Sequence, residues 1–213
     1  MPQTFSVEAV TVGEYATHCY LVATPDGEAL VIDPGAEADR LIRRIEERRL
    51  RVVGYPLTHG HRDHVGALAE VHARFPAPIG LHPTDAAWAF SPNNRLFPWE
   101  DPVAAPPGID LEWEDGQAVD MGPFRFEVVF LPGHTPGGVG LWFEDDHTLF
   151  GGDTLFAGSV GRTDLPGGDF ATLQQSLRRL LDLPPETRVF PGHGPATTLA
   201  EEIRSNPCLA DLR

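Results

Sequence analysis

The sequence predicts an α/β layered fold, and three observations carry that expectation. Short apolar runs alternate with amphipathic stretches in a strand–helix–strand–helix rhythm. Hydrophobic residues make up 41% of the chain against 22% charged, enough to build a sizeable core. The 213 residues fit a single domain, 1–213.

Taken in order, Phe5–Val10 alternates like a strand. His18–Ala23 and Ala29–Asp33 read as two short strands joined by the turn Pro25-Asp26-Gly27, and Pro34-Gly35 ends the second. Glu37–Leu50 places Leu41, Ile42 and Ile45 on one face among Arg and Glu, the pattern of an amphipathic helix. Val52–Leu57 is a compact apolar run, expected as a buried strand. Val65–Phe75 reads as a helix with Leu68, Val71 and Phe75 on one side. The segment 85–107 is rich in proline and aromatics; it reads as an irregular surface segment, either pinned by packing or acting as a lid beside a pocket. Strands resume at Phe124–Leu131, Gly138–Phe143 and Thr148–Gly151. Phe170–Leu181 is a helix, Arg188–Phe190 a strand, and Leu199–Arg204 a helix stopped before Asn206-Pro207. No internal repeat is visible in the sequence.

Composition excludes several classes. The longest apolar runs fall far short of the roughly 18 residues of a membrane span. With no signal-peptide pattern and only Cys19 and Cys208, a reducing cytoplasm is the expected location, with no membrane partner. The formal charge of −15 disfavours a nucleic-acid partner. The chain contains no lysine, so Schiff-base chemistry is excluded.

The chemistry concentrates in Thr58-His59-Gly60-His61-Arg62-Asp63-His64. Imidazole nitrogen and carboxylate oxygen are the donors that borderline and hard divalent metals take. Asp63 also stands where a helix N-cap is expected. Three further candidates each follow an apolar run and a glycine: His134, Asp153 and His193. In a layered α/β fold, strand exits converge on one sheet edge, so these residues are expected to join the first cluster. A structural zinc site closes with four ligands, usually cysteine-rich. A set of His59, His61, Asp63, His64, His134, Asp153 and His193 instead suits two metals that share a carboxylate and leave positions open.

At this point the chain resembles the metallo-β-lactamase fold. The resemblance runs from Val31-Ile32-Asp33-Pro34-Gly35 to Pro191-Gly192-His193-Gly194. Within that superfamily, Pro132-Gly133-His134-Thr135-Pro136-Gly137, Gly158-Ser159-Val160-Gly161-Arg162-Thr163-Asp164 and Glu202-Ile203-Arg204-Ser205-Asn206-Pro207 are similar to short bacterial glyoxalase II-like hydrolases. The resemblance implies a four-layer αβ/βα sandwich. It implies that His59, His61 and His134 hold one metal, that Asp63, His64 and His193 hold the second, and that Asp153 bridges them. Asp33 matches an outer or structural position rather than a ligand. The implied cofactors are two divalent ions, zinc first, with iron and manganese as alternatives. The implied reaction is hydrolysis of S-D-lactoylglutathione or a related small-molecule thioester through a metal-bridging hydroxide, the water's pKa being lowered from about 15.7 toward about 7. Asp63 is the catalytic candidate for routing a proton to the departing thiolate.

The chain departs from full-length glyoxalase II in lacking a helical glutathione-gripping region after His193, where only Arg204 and Arg213 are basic. Arg162 is the candidate substrate-binding residue, with pairing to Asp164 or Asp169 as its alternative. His18 opens a strand facing the expected metal edge but reads more readily as surface or structural. His72, His82 and His147 are expected as ordinary surface histidines, and Cys19 as a small core residue. The nearest rival is a persulfide dioxygenase holding one Fe(II) through His59, His134 and Asp153. A secreted β-lactamase and a nuclease are disfavoured. A non-catalytic metal-binding protein is the rival from another class.

Overall fold

The computed structural model describes residues 5–95 and 97–212. The chain divides into two compact units. One comprises the chain up to Trp113 together with Asp120–Phe124; the other comprises Glu114–Val119 and the chain from Arg125 onward. Among the described residues no helix is long and apolar enough to cross a membrane.

The N-terminal unit begins with an antiparallel meander, β1 (Ser6–Val12), β2 (Thr17–Ala23) and β3 (Glu28–Ile32). The chain then crosses through α1 (Ala38–Glu47) to β4 (Arg51–Pro56), which pairs parallel with β3. Two short helices, α2 (Arg62–Val65) and α3 (Leu68–Arg74), lead to β5 (Ile79–Leu81). The helix α4 (Pro83–Ala89) leads to β6 (Leu111–Glu112), completing a sheet of order β1-β2-β3-β4-β5-β6. Leu41 and Ile45 of α1 and Leu68 and Val71 of α3 are buried in one core with Cys19, Leu21 and Val31. Trp113, fully buried, donates its indole N–H to the Leu57 carbonyl at 3.0 Å and anchors the chain just before Thr58.

The C-terminal sheet has the order β14-β13-β10-β9-β8-β7. Its strands are β7 (Ala118–Met121), β8 (Phe124–Phe130), β9 (Val139–Phe143), β10 (Thr148–Gly152), β13 (Arg188–Pro191) and β14 (Thr197–Thr198). A small hairpin, β11 (Leu155–Phe156) and β12 (Ser159–Val160), follows β10. The helix α5 (Phe170–Leu180) crosses from that hairpin to β13, which lies parallel to β10. The helix α6 (Leu199–Ser205) follows β14. Leu173, Leu177 and Leu180 of α5 pack with Leu149, Val189 and Leu199.

Three expectations change. The helix expected over Val65–Phe75 starts earlier and falls into two, and at the break the Ala67 N–H donates to the Pro34 carbonyl at 3.0 Å instead of continuing the helix. The segment 85–107 is not irregular throughout: α4 occupies its start. Pro83 presets the first turn, and His82 caps it by accepting the Thr84 N–H at Nδ1. His82 is therefore a structural cap rather than an ordinary surface histidine, and burial lowers its pKa against the opposing pull of Asp85. Finally, Asp63 is not the N-cap of α2. That position belongs to His61, and Asp63 sits in the first turn.

Candidate metal centre

In the N-terminal unit the donors sit where β3 and β4 leave the sheet side by side. Asp33 follows β3 with φ of 51°, a left-handed conformation that aspartate tolerates and that turns its carboxylate toward Thr58. That buried carboxylate accepts three hydrogen bonds. The Thr58 N–H donates to Oδ1 at 2.8 Å, the Thr58 hydroxyl to Oδ2 at 2.5 Å, and His64 Nδ1 lies 2.9 Å from Oδ2.

These bonds fix the tautomers by elimination. A carboxylate only accepts, so His64 carries its proton on Nδ1 and presents the Nε2 lone pair. The Thr58 hydroxyl gives its proton to Asp33, so at 3.1 Å it accepts the proton of His59 Nδ1, and His59 also presents Nε2. One carboxylate thus aims two imidazoles, the pattern by which outer groups orient metal-binding histidines. Asp33, with three donors on its carboxylate, orients both imidazoles, and its oxygen also lies within 4.8 Å of the ligand nitrogens of His59 and His64. The His59 ring lies 4.0 Å from that of His64 and 5.0 Å from that of His61, centre to centre. His64 Nε2 lies 3.7 Å from Asp63 Oδ2, and that oxygen accepts the Thr17 hydroxyl at 2.8 Å. A Cβ on Gly35 would fall 1.5 Å from the Asp63 carbonyl oxygen, so only glycine lets this loop close onto the end of β3.

In the C-terminal unit, His134 follows β8, Asp153 follows β10 and His193 follows β13. Strand β8 is antiparallel to β9 and β9 to β10, while β13 is parallel to β10, so all three strands run the same way and exit at one end. Asp153 Oδ2 lies 3.4 Å from His134 Nε2 and 3.3 Å from His193 Nε2. His134 Nδ1 donates to the backbone carbonyl of Arg162 at 2.7 Å, which again sets Nε2 as the lone-pair nitrogen. Arg162 follows the hairpin β11–β12, which is itself anchored. Buried Glu202 accepts the Gly158 N–H at 2.8 Å, and Asn206 donates to the Ser159 carbonyl at 3.0 Å and to Glu202 at 2.8 Å.

Arg162 itself forms a two-pronged pair with Asp164, both bonds at 2.7 Å, with its side chain half-exposed. That pairing raises the guanidinium pKa and draws the Asp164 carboxyl down to about 2. Asp169 is instead the N-cap of α5, accepting from Thr172. His18 turns to Thr11 on β1, its Nδ1 3.0 Å from the hydroxyl. Arg204 pairs with Glu201, and Arg213 lies outside the described residues.

Each unit therefore gathers imidazole nitrogen and carboxylate oxygen, with the rings of His59, His64 and His134 oriented by outer hydrogen bonds. That donor set, without sulfur, fits divalent zinc, iron or manganese. Sequence reasoning did not identify Thr17, Thr58, Asp85 or Asn94 as supports. The signal for Asp85 was present: an acidic residue among Ala86, Ala87, Trp88 and Ala89 has no apolar reason to be there.

The model of the metallo-beta-lactamase superfamily matches residues 12–193. The chain is 38% identical over 215 aligned positions to a Haemophilus influenzae protein named hydroxyacylglutathione hydrolase GloC, covering 96% of this chain and 98% of that one. Among solved structures it is similar to the BLEG-1 B3 metallo-beta-lactamase, with a TM-score of 0.91, 36% identity, and coverage of 96% of this chain and 100% of that one. It is also similar to TTHA1623 in a di-iron-bound form, with a TM-score of 0.85, 43% identity, and coverage of 94% and 99%.

Proposed function

The chain belongs to the metallo-beta-lactamase superfamily, a family of metallo-hydrolases, and from that premise we propose that it hydrolyses a small acyl thioester such as S-D-lactoylglutathione with two divalent metal ions. In this reading the two units act as one domain, 1–213. His59, His61 and His134 hold one ion, Asp63, His64 and His193 hold the other, and Asp153 is shared. Zinc is the first candidate; the di-iron form of a 43% identical protein keeps iron in view beside manganese. When bound, the pair would supply an acidified water and a Lewis acid for the substrate carbonyl.

The chain's own residues do the rest. Asp33, Thr58 and the Arg162 carbonyl hold the imidazole protons on Nδ1 and so keep each Nε2 available. Asp63, whose Oδ2 accepts the Thr17 hydroxyl, would route a proton toward the leaving thiolate. The exposed Arg162 side chain would meet a carboxylate of an acidic thiol such as glutathione, supplying positive charge on a chain of net charge −15. A glutathione substrate also suits the cytoplasm expected from the cysteine content.

The observation that supports the reading is Asp153 Oδ2 lying within 3.4 Å of two imidazole nitrogens, His134 Nε2 and His193 Nε2, an arrangement compatible with a shared carboxylate. The test is metal analysis of protein isolated without added metal, followed by assay of lactoylglutathione against other thioesters. About two metal equivalents with thioester turnover is the expected result. One iron per chain with oxygen uptake on glutathione persulfide would replace the reading with the dioxygenase. Metal without turnover of any thioester would leave a binding protein. The likeness to a B3 metallo-beta-lactamase gives the assay one more arm, a cephalosporin; turnover of it in preference to every thioester would overturn the substrate class.

A further inference from the structure

We propose that Asp85 and Asn94 are positioning residues for the loop between β4 and α2, gripping the Gly60 peptide from both sides so that His59 and His61 are presented at a fixed separation. The inference rests on the reading of those two histidines as metal ligands.

Gly60 stands between the two imidazoles. A glycine there lets the backbone turn tightly, but it also leaves that turn the least constrained point of the loop. Two side chains remove the freedom. The Gly60 N–H donates to Asp85 Oδ2 at 2.8 Å, and Asn94 Nδ2 donates to the Gly60 carbonyl at 2.8 Å. The Asn94 amide also donates to the carbonyl of Ala89, which ties it to the end of α4. Asp85 is fully buried and Asn94 nearly so. A Cβ on Gly60 would meet the Ala89 Cβ at 3.0 Å and the Asp85 Cβ at 3.2 Å, so the loop lies directly on α4. Trp88 of the same helix places its ring 5.5 Å from that of His61, edge to face.

Burying a carboxylate costs free energy unless its hydrogen bonds are specific. The start of segment 85–107 is therefore a bed for the metal-binding loop rather than a lid.

Metal-free wild type, Asp85→Ala, Asp85→Asn, Asn94→Ala and Tyr55→Phe are titrated with Co²⁺, reading affinity and the visible absorption band, with the melting temperature of each metal-free protein measured alongside. Tyr55→Phe removes a hydroxyl that donates to the Phe75 carbonyl at 2.7 Å in the same unit, and it controls for general destabilisation. Asp85→Ala and Asn94→Ala are expected to weaken Co²⁺ binding about 10–100-fold and to alter the band, as removal of an outer hydrogen-bonding partner does. Asp85→Asn keeps an oxygen for the Gly60 N–H and restores most of the affinity. Tyr55→Phe binds as wild type. The proposal is overturned if both alanine variants titrate like wild type. It also falls if Asp85→Asn fails as badly as Asp85→Ala, or if Tyr55→Phe loses Co²⁺ in the same measure. Should Asp85→Ala not fold, Asn94→Ala decides alone. A wild type that takes up no Co²⁺ would instead remove the metal reading, and the clamp with it.

Discussion

Replacing Asp33 by asparagine keeps the size of the side chain but removes its charge and turns one acceptor oxygen into a donor. Asp33 takes one donor on Oδ1 and two on Oδ2. The better placement of the amide keeps oxygen at Oδ2, serving the Thr58 hydroxyl and His64 Nδ1. The NH₂ then faces the Thr58 N–H, donor against donor. A buried donor left unsatisfied costs about 1–3 kcal/mol. At about 2–4 °C per kcal/mol for a chain of this size, metal-free Asp33→Asn should melt between about 2 and 12 °C below wild type. His64 also exchanges a charged acceptor for a neutral one, so metal affinity should fall about 10–100-fold. Calorimetry of the metal-free protein and competition against a chromophoric chelator read the two effects separately. A variant that melts and binds metal like wild type would show that Asp33 orients nothing.

Asp153→Ala should lose both metals together, from about two equivalents to well below one, because two cations that no longer share a carboxylate repel; full occupancy in that variant would show the bridging role to be wrong. Gly161→Ala puts a Cβ 1.8 Å from the Asp153 carbonyl oxygen and 3.3 Å from the His134 Cβ, so it should cost about 1–3 kcal/mol or more and displace both donors, read by melting and metal content. Arg162→Ala, which keeps the backbone carbonyl under His134, should raise KM for an acidic glutathione thioester and leave kcat and an uncharged thioester unaffected; equal loss on both substrates would remove its substrate role. Burial lowers the His82 pKa below the ordinary value of about 6.5, so its contribution is complete above that pH and is lost as pH falls through the lower folded value. A protonated Nδ1 cannot accept the Thr84 N–H, so His82→Asn should show a flatter stability curve than wild type between about pH 7 and 5; superimposable curves would exclude the cap as the source.

Much of the candidate site was legible because its imidazoles and carboxylates follow apolar strands closely, punctuated by Pro-Gly or Gly-Gly, and strand exits are where an α/β sheet collects side chains. The residues that hold the donors were not legible. Thr58 and Asp33 meet only because β3 and β4 pair in parallel, a fact of topology and not of spacing. The helix α4 was hidden by its cap, since His82-Pro83 is not among the usual Ser, Thr or Asp starts, and its aromatic neighbours read as loop. Strands β5 and β6 are three and two residues long, too short for periodicity to register. At the break between α2 and α3 the Ala67 N–H donates to the Pro34 carbonyl, a long-range bond that no local pattern encodes.

No repeat is visible in the sequence, yet the two units repeat a plan. In the N-terminal unit an antiparallel meander, β1-β2-β3, crosses by α1 to a parallel β4; in the C-terminal unit the meander β8-β9-β10 crosses by way of the β11–β12 hairpin and α5 to a parallel β13. In each, the third strand exits at an aspartate, Asp33 or Asp153, and the fourth exits at a histidine, His59 or His193. Equivalent positions carry different work. Asp33 spends its oxygens on a threonine and a histidine Nδ1 and so orients from behind, whereas Asp153 turns an oxygen to two histidine Nε2 atoms. The difference is which nitrogen the carboxylate meets: Asp33 accepts from an Nδ1 proton, whereas Asp153 faces two Nε2 atoms. The plan thus places an aspartate at the end of the third strand in each unit, and the local hydrogen bonds separate the two: three donors meet Asp33, and two imidazole nitrogens face Asp153.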